Sequence, residues 1–157
     1  MLYKWESRWQ AENRRLGQRE QPSIDRGSRK VTPSNTPPTK ATLGLHTGLQ
    51  KAESVLLVQA RTGQIRLAQF LNSRRVPGYE TASCQCGGGH ETPRHIALYC
   101  PIERHRKHEL KDSAGRTQAF PALVGTNIGA KAFVRWMMLS NRLSQFSLAR
   151  RLLFSSK

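Results

Sequence analysis

The sequence predicts a small, mostly α-helical domain that carries a cysteine- and histidine-rich insertion and follows a disordered basic arm. Three observations predict it. Apolar residues recur at helical spacing in several segments, and no stretch alternates convincingly as a strand does. All three cysteines fall within the single run ASCQCGGGHETPRHIALYCP. The chain ahead of residue 42 is polar, proline-bearing and cationic, a composition that cannot bury enough apolar surface to offset its ordering entropy.

Taken in order, residues 1–16 read as a short helix or connector, with Trp5 and Trp9 four apart and Glu6, Arg8, Glu12 and Arg15 flanking them. Residues 17–41 read as a disordered basic linker, broken by Pro22, Pro33, Pro37 and Pro38. The helical domain spans 42–157, order beginning near Ala41. Its first helix, QKAESVLLVQART, sets Ala52, Val55, Leu56 and Ala60 on one face, widened by Leu57 and Val58. Gly63 is its expected stop, because glycine takes the left-handed conformation without a Cβ clash. A second helix through QIRLAQFLNSRR carries Leu67, Ala68, Phe70 and Leu71 on one side and ends at the Pro77-Gly78 turn. A third runs from Thr92, a suitable N-cap ahead of Pro93, to about Lys111. The last runs from Ile128 to about Arg151, with Ala132, Phe133, Trp136, Met137 and Leu139 covering more than half its circumference. That Trp/Met stripe reads as core packing rather than as a cofactor box.

The chain has 26 lysines and arginines against 10 acidic residues, a formal net charge of +16. Such a field attracts polyanions and favours nucleic acid or an anionic membrane, nucleic acid being preferred here, with a solvated basic surface as the competing reading. Its 37% hydrophobic content, below the usual share of about 45–50%, predicts a modest core. The longest aliphatic run, Val55 to Val58, is far short of a bilayer span, so no membrane partner is expected. MLYKWESRWQAENRR has no apolar h-region, which implies a nuclear or cytoplasmic protein not secreted through a conventional signal peptide. An odd number of cysteines, clustered with histidines, favours a metal site over disulfides.

Cys84, Cys86, His95 and Cys100 form the pattern C-x-C-x8-H-x4-C. Thiolate sulfur and imidazole nitrogen in a set of four suit one tetrahedral zinc ion, and a closed set of four leaves no position for water, so the zinc is expected to be structural. Gly87, Gly88 and Gly89 let the chain fold back after the first pair. The competing reading is Cys100 as a small buried hydrophobe with Cys84 and Cys86 as incidental loop thiols. His90 is an alternative ligand, while His46, His105 and His108 read as surface or basic-patch histidines.

No catalytic residues are expected. P-loop, nucleophile-elbow and dinucleotide signatures are missing, and the two aspartates, Asp25 and Asp112, are too few and too dispersed for two-metal phosphoryl chemistry. The basic residues instead suggest phosphate binding. Arg61, Arg66, Arg74 and Arg75 decorate the first two helices, and Arg94, Arg104, Arg106 and Lys107 surround the cysteine–histidine helix. Without a base-reading motif, contact with RNA or DNA is expected to be largely independent of sequence.

In order along the chain, LHTGLQKAESVLLVQARTGQIRLAQFL, RRVPG, CQCGGGHETPRHIALYC and FVRWMMLSNRLSQF resemble the segment after the RNase H domain of fungal non-LTR (LINE-like) retrotransposon reverse transcriptase polyproteins. The resemblance covers roughly residues 42–147, and KWESRWQ is similar to the connector leaving RNase H. It implies a C-terminal tail whose cysteine–histidine cluster helps to hold nucleic acid, with the polymerase and nuclease carboxylates lying upstream. A Met1 start within the connector suggests a truncated element copy or a mispredicted gene. Two alternatives stand beside this reading: a domesticated fragment that docks on a protein partner through an apolar helix face, and a relic without function.

Overall fold

The computed structural model describes Ser7, Arg8, Ala11 and residues 40–114 and 119–154. Ser7, Arg8 and Ala11, within the expected first helix, are helical; the rest of that segment, Trp5 and Trp9 included, and the basic linker before residue 40 lie outside the described residues. What is described is mostly helical, as expected; an isolated antiparallel bridge between Ser83 and His90 is the extent of β pairing among the described residues.

The first helix of the domain, α1 (Lys40–Gly44), has its exit fixed by Asn127: its side-chain amide donates to the carbonyls of Gly44 and Thr47 at 2.9 and 3.1 Å. Helix α2 (Lys51–Thr62) ends as expected at Gly63, with φ +71°. Its buried face is Glu53, Leu56, Leu57 and Ala60, rotated from the expected one; Val55 and Val58 are exposed. The rotation follows from Glu53, which is buried because both oxygens are satisfied. One accepts from the Gln50 backbone N–H at 2.7 Å and the other from Arg135 Nε at 2.9 Å.

The second helix, α3 (Ala68–Ser73), is shorter than its apolar pattern suggested and buries Leu71, with Ile65 and Leu67 entering the core from the loop before it. The expected helix from Thr92 to Lys111 is divided. Thr92 caps it as read, its hydroxyl accepting from the His95 N–H at 3.0 Å. A π-helical turn (His95–Tyr99) follows, then extended backbone at Cys100, a 3-10 turn (Pro101–Arg106) and helix α4 (Lys107–Ala114). Pro101 causes the break, since the residue before a proline is pushed out of the α region.

Helix α5 (Phe120–Gly125) leads directly into α6 (Asn127–Leu139), the centre of the core. Thr126 caps α6, its hydroxyl accepting from the Gly129 N–H at 3.1 Å. Phe133, Val134 and Met137 are fully enclosed, and α6 packs on α2, α4 and α5, with Phe133 edge-on to Phe120 at 5.6 Å. The expected helix does not continue to Arg151. Asn141 turns the chain with φ +60°, a 3-10 turn (Ser144–Phe146) follows, and α7 (Ser147–Phe154) closes the described chain. Leu139, read as part of the buried stripe, is exposed.

The α5–α6 corner depends on one glycine. A Cβ at Gly129 would run into the Leu123 carbonyl oxygen, which is backbone and cannot step aside. Gly129→Ala is expected to lower the unfolding free energy by about 1–3 kcal/mol in denaturant melts. Gly44→Ala, where nothing lies within 4 Å of the new methyl, serves as the neutral comparison.

Candidate metal centre

The segment after α3 has almost no core of its own. Between Leu71 and Pro93 the sole buried side chain is Cys84. The segment holds its shape through a short hairpin: Glu91 N–H donates to the Ala82 carbonyl at 2.9 Å and Cys84 N–H to the Gly89 carbonyl at 2.8 Å. Gly87 and Gly89 turn the tip with φ of +71° and +148°, conformations that side chains resist. Gly89 also brings its backbone against the His95 ring, 3.5 Å from where a Cβ would stand.

The other two ligand candidates come from the π turn. Five residues of ordinary α-helix rotate a side chain by about 500°, leaving His95 and Cys100 about 140° apart. The wider winding corrects this. Cys100 N–H donates to the His95 carbonyl at 2.7 Å, an i→i+5 closure that places both residues on one side. Regular helical spacing, as first read, would not have done so.

Cys84 Sγ lies 3.8 Å from Cys100 Sγ, Cys86 Sγ lies 3.1 Å from His95 Nε2, and all four ligand atoms fall within 4.8 Å of one another. Zinc–thiolate bonds of about 2.3 Å at tetrahedral angles give sulfur–sulfur edges of about 3.8 Å. The cluster can therefore hold a metal ion with little rearrangement. His90, the alternative ligand, is exposed and stands outside it. Cys100 is fully buried, yet it faces another sulfur rather than plain hydrocarbon.

The local electrostatics act differently on each candidate ligand, and a metal ion must displace a proton from Cys84. Burial pushes the Cys84 thiol up to about 11, so without a cation it stays protonated. The Gly88 N–H, donating to Sγ at 3.3 Å, lowers the Cys86 thiol. Burial, with the charges of Lys107 and Arg142, holds His95 below its ordinary value and leaves it neutral, the form that ligates. In the metal-free protein the unfolded chain then binds more protons below the ordinary histidine value of 6.5. The His95 contribution is complete above that value and is lost as pH falls through the lower folded one. Urea midpoints of chelator-treated protein should drop between neutral pH and mildly acidic pH, and His95→Phe should flatten that drop; an unchanged wild-type midpoint would contradict this account.

Around the cluster lies an ion network that the sequence reading missed. Arg142 donates through Nη1 to Glu91 at 2.7 Å and through Nε to Glu103 at 2.9 Å. Its Nη2 approaches Cys100 Sγ at 3.9 Å. Burial works against the Arg142 charge, but Glu103 and Glu91 outweigh it and hold the guanidinium protonated. The free oxygen of Glu91 accepts from the Ala68 N–H at 2.8 Å, tying the hairpin to α3. Sequence separations of 51 and 39 residues leave no local signal for these pairs.

The basic residues are distributed unevenly. Arg61 is half-buried at the end of α2, while Arg66, Arg74 and Arg75 are exposed around α3, Arg74 lying 5.3 Å over the Phe70 ring. Arg94 lies over the Tyr99 ring at 5.6 Å. Arg106 is held inside: it pairs with Glu103 at 3.3 Å, donates to the Trp136 carbonyl at 2.9 Å and covers the Trp136 ring. Arg104 and Lys107 meet in one groove, joined by His108 and Lys111, the last not foreseen as a binding residue. Among the described residues no helix is long and apolar enough to cross a membrane. No protein-family profile, curated protein or solved structure matches the chain.

Proposed function

We propose that this chain is a non-catalytic nucleic-acid-binding module organised by one structural zinc ion, of the kind carried after RNase H in fungal LINE-like polyproteins. The observation that carries it is the convergence of Cys84, Cys86, His95 and Cys100 within 4.8 Å in a chain of net charge +16. Three thiolates and an imidazole are soft and borderline ligands that zinc accepts in closed sites. Lysines and arginines around the cluster supply phosphate contacts, each releasing counterions from a polyanion.

The test is titration of the zinc-loaded chain with labelled RNA and DNA over a range of salt. The proposal expects a linear fall of log affinity with log salt, with a slope of about −0.7 per phosphate contacted on a single strand. It also expects that chelation weakens binding. Salt-insensitive or absent binding would overturn it.

One observation favours a second reading, a protein-docking fragment. Leu148 and Leu152 stand one helical turn apart on α7 and are 59% and 71% exposed. This reading expects only weak, unspecific nucleic-acid binding beside a salt-insensitive protein contact, which separates the two readings in the same titration.

A further inference from the structure

Tyr99 is the most exposed aromatic ring described here, at 58%, and it stands where two depressions meet. On one side is a recess of about 250 Å³ walled by Ala97, Leu98, Leu110, Ala114 and Leu123. On the other is an open groove of about 530 Å³ lined by Pro101, Arg104 and His108. Lys107 and Lys111 border both. An apolar recess, a flat ring and a row of cations thus occur side by side, on the surface of the helices that follow the metal cluster.

The ring does not swing freely. Arg94 lies over it at 5.6 Å and donates to its hydroxyl at 3.2 Å, so one face is backed by a guanidinium and the orientation is set. A pre-set aromatic wall loses little freedom when a second ring stacks on it. The nearby cations provide for the other half of such a ligand, because phosphates need point charges or guanidinium forks within reach of the stacked group.

We infer that this site takes an unpaired nucleotide, its base in the apolar recess against the Tyr99 ring and its phosphates along Arg104, Lys107 and Lys111. The ligand is therefore single-stranded nucleic acid. A duplex buries its base faces in its own stack and offers only edges and backbone, so the recess and the ring would gain nothing from it. The inference rests on the nucleic-acid reading above and specifies the form of nucleic acid.

The experiment compares the zinc-loaded full chain with its Tyr99→Ala, Tyr99→Phe and Lys111→Ala variants. Each is titrated by fluorescence anisotropy with a labelled oligouridylate and with an RNA duplex at one fixed salt. Tyr99 is exposed, so its replacement leaves the core intact; circular dichroism confirms that before titration. The inference expects Tyr99→Ala to weaken single-strand binding about tenfold, the loss of one stacked base, and to leave duplex binding unchanged. Tyr99→Phe, which keeps the stacking face but loses the Arg94 hydrogen bond, weakens single-strand binding less than Tyr99→Ala, and Lys111→Ala weakens single-strand binding. Equal losses on strand and duplex with Tyr99→Ala, no loss on either, or no loss with Lys111→Ala would overturn the inference and leave the nucleic-acid reading standing. Failure of the unmodified chain to bind either ligand would overturn both.

Discussion

Cys100→Ser is expected to abolish stoichiometric zinc uptake, lowering affinity by more than about 100-fold, beyond what losses outside the ligand shell produce. The substitution keeps the side chain's shape while replacing a thiolate ligand with a smaller hydroxyl that stays protonated and ligates zinc poorly. His95→Ala, Cys84→Ser and Cys86→Ser should behave alike, whereas His90→Ala should bind zinc normally because that ring stands outside the cluster. Native mass spectrometry reads the stoichiometry directly. The consequence for folding is expected to be large for a specific reason. The segment between Leu71 and Pro93 buries a single side chain, Cys84, so the ion would supply the core that the hairpin lacks. Chelation should therefore lower helicity and expose the hairpin to protease, while α6 and its Phe133–Phe120 contact persist. Full retention of zinc by Cys100→Ser would remove position 100 from the ligand set and with it the four-ligand site.

Arg142→Met is expected to destabilise the fold by about 3–5 kcal/mol, the cost of leaving buried Glu91 without a cation and Glu103 with Arg106 alone. Glu91 and Glu103 side chains are 14% and 6% exposed, and Arg142 itself is 11% exposed, so solvent screens little of the interaction. Arg142→Lys should recover only part of the loss. The guanidinium reaches two carboxylates at once through Nε and Nη1, and an ammonium cannot reproduce that fork. Pairing Arg142→Met with Glu103→Gln should cost less than the two single changes summed, since each removes the other's unpaired charge. Urea denaturation of the four proteins measures this. A loss below about 1 kcal/mol would place the contact among ordinary surface ion pairs and refute its structural role.

The helical class and the four clustered candidate ligands were legible in the sequence because both are local. Apolar residues such as Leu56, Ala60, Phe133 and Met137 repeat at helical spacing and are buried as read. Cys84, Cys86, His95 and Cys100 announce themselves by residue type alone. What escaped depends on distant partners. Glu53 looks like a solvent residue until Arg135 and the Gln50 N–H are brought to it, and treating it as one misplaced the face of α2 by one position. The bend at Asn141 has no proline to announce it; it aims Arg142 at carboxylates 39 and 51 residues away. Arg106 has the appearance of a phosphate ligand in PIERHRKHE, yet its guanidinium is engaged by Glu103 and Trp136.

The π turn bears on how cysteine–histidine spacings are read in general. In an α-helix, residues i and i+4 share a side; across this wider turn, residues i and i+5 do. Spacers of three and four residues between the last two ligands are thus two spellings of one geometry, distinguished by winding and not by where the donor atoms stand. Removing one exposed residue of the turn, Tyr99, would exchange the i→i+5 closure for an ordinary i→i+4 one and still present His95 and the following cysteine to the same side. Ligand count and helical face are the invariants here, and the exact gap is free to change by one.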